Sequence, residues 1–116
     1  MAVLGIAVLL VTIAANAAES VANFARAKFV VANMAQVRVP ESMLPLLGAC
    51  KGAGAIGLAL GLAGVTSLGI AAAAGLIVFF VIAVGVHIRT GVLHNIAFPL
   101  GFLALSAASL GAMLAY

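Results

Sequence analysis

Two ionisable side chains, Glu19 and Lys51, sit inside stretches that are otherwise apolar. On insertion scales a charge at the centre of a membrane helix costs about 2.5–3.5 kcal/mol, so such residues face a partner or a cavity. A carboxyl at Glu19, or the imidazole of His87, suits general acid–base work, and Lys51 or Arg89 suits stabilising a developing anion. Glu19 belongs to a set: Thr12, Asn16, Glu19 and Asn23 are spaced four, three and four apart and so share one helix face. Lys51 has Leu47, Gly48, Gly54 and Ala55 as helical neighbours, and the small ones turn its face toward another helix. His87, Arg89, His94 and Asn95 cluster around a later break in the apolar pattern. The candidate catalytic residues are therefore Glu19, Lys51 and His87. The candidate ligand-binding residues are Asn16, Glu19, Asn23, Lys51, His87, Arg89, His94 and Asn95. No Cys/His spacing motif accompanies the two histidines, and no metal or haem site is expected.

The elements that must position these residues follow from composition. Of 116 residues 67% are hydrophobic and 6% charged, against about 25% charged in a soluble domain. Mean hydropathy is +1.43. A soluble enzyme, a disordered chain and a disulfide scaffold are excluded, and the five basic residues are too scattered for a nucleic-acid partner. A spanning helix needs about 20 residues. The chain is thus expected to be all-α, a single integral membrane domain with a four-helix bundle over residues 2–22, 43–62, 68–87 and 94–115. The first stretch reads as a retained helix: no basic residue precedes Arg26, and its apolar run outlasts a signal-peptide core.

Residues 23–42 form the predicted linker. Its apolar residues Phe24, Phe29, Val30, Val31 and Met34 show no single clean face, so it reads as a helix continuation or an interfacial segment. Pro40-Glu41-Ser42 opens the second span. Thr66 or Ser67 is expected to cap the third, and Tyr116 to anchor the fourth at the interface. Cys50, the lone cysteine, is expected to pack as a small hydrophobe. The pairs Gly48/Gly52 and Gly57/Gly61 have the small-xxx-small spacing that lets helix backbones meet, here read as packing within one bundle rather than as a homodimer face. At 1.5 Å per residue, Glu19 lies ~6 Å inside Asn23 and Lys51 ~12 Å inside Met43, so a Glu19–Lys51 pair is within reach. The polar residues of all four spans converge on one level of the membrane.

The sequence here resembles a known family. Lys28-Phe29, Val39-Pro40-Glu41, Gly48-x-x-Lys51-x-x-Gly54 and Gly57-Leu58-x-Leu60-Gly61-Leu62 are similar to the pattern of DoxX-like small membrane proteins. So is Ala71-Ala72-Ala73-Ala74-Gly75-Leu76 followed by Ala83-x-x-x-His87-x-Arg89. The resemblance implies a four-helix membrane bundle. It does not imply one activity: relatives have been tied to thiosulfate–quinone oxidoreductase subunits and to chaperone-like roles.

Three readings of the polar cluster compete. One is a self-satisfied network that fixes helix register. The second is a pocket for a quinone, a lipid or another apolar small molecule, in an accessory protein that meets the bilayer and a membrane partner or a second copy of itself. The third is a small intramembrane enzyme, redox or isomerising, that uses Glu19, Lys51 and His87. A proton path across the membrane is disfavoured, because Thr66, Ser67, Ser106 and Ser109 are nearly all the polar lining the other half offers. Arg26, Lys28 and Arg38 in the first linker and Arg89 in the third place both linkers in the cytoplasm, and both termini outside the cell membrane, by the positive-inside rule. A reporter fused after Tyr116 should accordingly be active only on the extracytoplasmic side; a cytoplasmic signal would contradict the orientation.

Overall fold

The computed structural model describes residues 2–115, so the interface role expected of Tyr116 lies outside the described residues. Four helices are long and apolar enough to cross a membrane. They are α1 (Val3–Phe24), α3 (Leu44–Leu62, entered through a 3-10 turn at Glu41–Met43), α4 (Thr66–Thr90) and α5 (Ala97–Leu114). α1 packs on α3 and α5, and α4 packs on the same two helices, which closes a four-membered ring. The long dimension is 40 Å, which suits a bilayer with its headgroup regions at about 40–45 Å. Large apolar side chains such as Leu10, Ile56, Val78, Ile82 and Leu114 point outward along all four spans.

The helix count differs from expectation: among the described residues there are five α-helices, because residues 28–36 of the predicted linker fold as α2 (Lys28–Gln36). Its inward face exists but is narrow. Val30, Met34 and Val37, spaced four and three apart, are buried, while Phe24 and Phe29 are largely exposed and obscure the period in the sequence. Val30 and Met34 pack on Leu44 at the start of α3. Arg26 (φ 55) and Arg38 (φ 59) bend the chain at either end of α2 in left-handed conformations, which L residues adopt at a cost of about 1–2 kcal/mol.

Several expected boundaries also move. α4 does not break at residue 87 but runs to Thr90, because the left-handed residue that ends it is Gly91 (φ 75). The Gly91 and Val92 amides donate to the carbonyls of Ile88 and His87, which satisfies the exposed end of the helix. α5 begins at Ala97 rather than 94, since residues 94–96 form turns. Neither Thr66 nor Ser67 caps α4: the cap position is Val65, with no side-chain hydrogen bond, because the positive-φ turn at Gly64 places Thr66 already in the first helical turn.

Helix contact depends on missing side chains. A Cβ on Gly48 would lie 3.0 Å from Asn23 Cβ, and one on Gly52 would lie 2.8 Å from Ser20 Oγ, both on α1. On the other face of α3, a Cβ on Gly54 would meet Leu76 and one on Gly57 would meet Ala72. One on Gly61 would strike the backbone of Gly69, so α3 and α4 touch main chain to main chain there. The two small-xxx-small pairs are therefore consumed inside the bundle, one against α1 and one against α4.

Gly61→Ala should destabilise the fold by about 1–3 kcal/mol, since backbone cannot move aside as a side chain can. Gly75→Ala, where nothing lies within 4 Å of the added carbon, should be neutral or slightly stabilising. Paired thermal melts in detergent micelles measure the difference.

Candidate functional site

α1 carries a buried polar stripe, but its membership differs from the expected one. Thr12, Asn16, Ser20 and Asn23 are buried, whereas Glu19 is only half-buried. Ser20, four residues after Asn16, is the member that the sequence reading missed. Its hydroxyl donates to the Gly48 carbonyl at 2.7 Å and joins α1 to α3 where glycine allows the approach. Ser109 of α5 donates to Thr12 Oγ1 at 2.9 Å and joins α1 to α5. Asn16 donates to the Thr12 carbonyl at 3.0 Å. It lies between these two links and does not line the cavity described next. This half of the stripe holds helices together.

Toward the α2 end the four spans part and leave a cavity of about 830 Å³ roofed by α2. Glu19, Asn23, Lys51, His87, Arg89 and Asn95 all contribute to its wall, so six of the eight candidate binding residues converge on it. His94 does not: it is exposed in the α4–α5 turn and absent from the wall, because the late start of α5 leaves it outside the bundle. Cys50, expected to be packed, is exposed and borders the cavity, since it lies beyond Gly54 where space opens between α3 and α4.

Lys51 is the centre of the polar wall. Its Nζ is 3.6 Å from Glu19 Oε1, and the two side chains retain only 12% and 25% of their exposure. The same Nζ donates to Asn23 Oδ1 at 3.3 Å and lies 5.9 Å from the Phe79 ring centroid, so its charge is also met by a ring face. Asn23 has two workable amide orientations. In one it accepts from Lys51 and donates to the Leu44 carbonyl at 3.4 Å. In the other it donates to the Glu19 carbonyl at 3.0 Å and accepts from the Gly48 amide at 3.2 Å. A charged lysine favours the first, because it provides a charge-assisted donor that the second would set against an amide NH2.

His87 is buried at the α2 end of α4. Its Nδ1 lies 2.8 Å from the Ala83 carbonyl, which can only accept, so Nδ1 carries a proton and, in the neutral ring, Nε2 is the acceptor. Asn95 donates to Gln36 at 2.7 Å and ties the start of α5 to the end of α2. Arg26 and Glu41 form an exposed ion pair at 2.6 Å across the foot of α2, worth about 0–1 kcal/mol at such exposure. The remaining wall is apolar and aromatic: Phe80 stacks on Phe102 at 5.1 Å and meets Phe79 edge to face at 5.0 Å. Sequence reasoning assigned none of these rings to the site; the one signal for them is that Phe79, Ala83 and His87 follow one another at four-residue spacing on α4. Asn33 of α2 was missed as well, because its helix was read as a linker.

Among known families, the DoxX-like family model matches residues 7–109. The chain belongs to the DoxX-like family. No curated protein and no solved structure matches it. Membership accounts for a membrane protein of apolar helices, and the match includes part or all of each of the five helices.

In this DoxX-like chain the Glu19–Lys51 pair should show coupling. Glu19→Gln leaves a lysine without its counter-charge in a poorly solvated site, and Lys51→Met removes the need for that charge. The double substitution should therefore recover at least about 0.5–1 kcal/mol relative to the sum of the singles. Thermal or SDS denaturation of the four proteins measures it, and simple additivity would show the two side chains to be independent.

Proposed function

We propose that this DoxX-like protein is an accessory or binding protein of the cell membrane. Its cavity takes the polar end of a quinone-like, lipid-like or other apolar small molecule, or a group presented by a membrane partner. The carrying observation is the cavity itself. Its volume of about 830 Å³ lies within the range of small-molecule sites, about 300–1,000 Å³. Its composition is also that of such sites: aromatic and aliphatic walls with a few convergent polar groups. Lys51 is suited to hold a carbonyl or anionic oxygen, since its present ion pair is longer than a hydrogen bond. The rings of Phe79, Phe80 and Phe102 are suited to the flat or apolar part of the guest.

A second reading, a small intramembrane enzyme of redox or isomerising type, draws on one observation: Glu19, Lys51 and His87 share a single cavity. Glu19 or His87 would move a proton and Lys51 would steady the developing anion. The orientation in this proposal has the α2 end, which carries Arg26, Lys28, Arg38 and Arg89, in the cytoplasm. It leaves room for a homo-oligomer through the lipid-facing surfaces.

Native mass spectrometry of protein released from lipid nanodiscs tests the binding reading. A retained small molecule is expected, in a fixed ratio to protein. It should be lost in Ala83→Phe, which places a ring in the cavity, while the melting profile is kept. Spectra of the native chain that carry no adduct under conditions preserving bound lipid would contradict it.

A further inference from the structure

Two residues that line the cavity each hold a buried side-chain atom with no hydrogen-bond partner, an acceptor in Asn33 and, with the ring neutral, in His87. His87 Nε2 and Asn33 Oδ1 are both buried from solvent, and neither has a partner among the described residues. They come from different elements, α4 and the α2 roof, and both residues line the same space. His87 is 5% exposed, and its ring is fixed by the Nδ1–Ala83 bond, so the imidazole cannot turn its N–H inward without breaking that bond. A buried acceptor left bare costs about 1–3 kcal/mol. Among the described residues the one other orphaned atom of this kind, Asn16 Oδ1, belongs to a residue that does not line the cavity. Two bare acceptors at one cavity call for a guest that brings donors.

The wall charges narrow the choice. Arg38, Lys51 and Arg89 outnumber Glu19. A cationic donor such as an alkylammonium would satisfy the acceptors but meet net positive charge, whereas a neutral hydroxyl satisfies them without that penalty. Guests whose polar end carries only acceptors, such as ethers, esters and ketones, leave both atoms bare.

Resting on the reading of the cavity as a binding site, we propose that it selects a neutral hydroxyl-headed amphiphile, an aliphatic or aromatic alcohol. The hydroxyl donates to His87 Nε2, and Asn33 Oδ1 takes a second donor where the guest has one. Both acceptors are covered in the present shape. The proposal therefore needs a guest to enter past α2, which carries Asn33 and is held by the small apolar cluster around Val30, Met34 and Leu44 and by the Asn95–Gln36 hydrogen bond.

The test titrates the full detergent-solubilised chain with dodecan-1-ol, its methyl ether 1-methoxydodecane, and dodecylammonium, read by native mass spectrometry. The alcohol should bind about tenfold or more tightly than the ether, and the ammonium more weakly than the alcohol. His87→Phe should bring the alcohol-to-ether ratio close to one without weakening the ether. Should that variant fail to fold, Asn33→Leu, outside the membrane spans, should lower the affinity for dodecane-1,2-diol relative to dodecan-1-ol several-fold. Equal affinity of alcohol and ether in the native chain would overturn the hydroxyl assignment and leave the cavity reading standing. Tightest binding by the ammonium would overturn the neutral head. Failure of all three to bind would overturn the hydroxyl assignment, and failure with no retained adduct in the native chain either would overturn both readings together.

Discussion

The arrangement depends on α3 having almost no side chains where it meets its neighbours. In lipid there is no water to drive helices together, so they associate by close packing and by hydrogen bonds between them. Gly48 and Gly52 admit α1, and Gly54, Gly57 and Gly61 admit α4. The Ser20 hydroxyl reaches the Gly48 carbonyl only because of that closeness. With α3 held on both sides, α5 closes the ring through Thr12 and Ser109 on one flank and Phe80 and Phe102 on the other. The positions of the polar residues follow from these contacts.

The same constraint explains why the cavity that holds the polar residues lies toward the α2 end. Glycine and alanine line the α3–α4 contact from Gly54 to Gly61. Toward the α2 end the α4 residues become Phe79, Phe80 and His87, and α3 offers Lys51 and Leu47. Large side chains cannot sit at backbone-contact spacing, so the helices part and the space fills with their functional ends. The buried charge belongs there for the same reason: Lys51 finds Glu19, Asn23 and the Phe79 face within reach, and a lysine deeper in the glycine seam would find none.

Much of this was legible in the sequence. The four spans follow from apolar runs and the α1 stripe from its spacing, and six of the eight candidate binding residues do line one space. What failed has physical causes. α2 is short, and the buried face of Val30, Met34 and, just after it, Val37 is masked by Phe24 and Phe29, which are apolar but largely exposed. In a membrane protein hydrophobicity no longer marks the inside, so apolar periodicity loses its meaning at a linker. The polar stripe remained readable because polar residues must avoid lipid. Even so, it was one member short, since a serine can satisfy itself on its own helix and so signals burial weakly. His94 was misplaced because a helix start in a run of turns, with Asn95 bonded to Gln36 rather than capping, leaves no local signature.

The left-handed arginines at the two ends of α2 have a consequence for how such a chain can diversify. They make residues 28–36 a cassette: the backbone turns at Arg26 and Arg38 whatever lies between them, and the glycine seams of the bundle lie outside that segment. Substitutions within the cassette can reshape the roof of the cavity without disturbing the spacing of the four spans. A lineage built on this plan can keep one scaffold and change what it admits, with selection acting separately on the seam and on the roof.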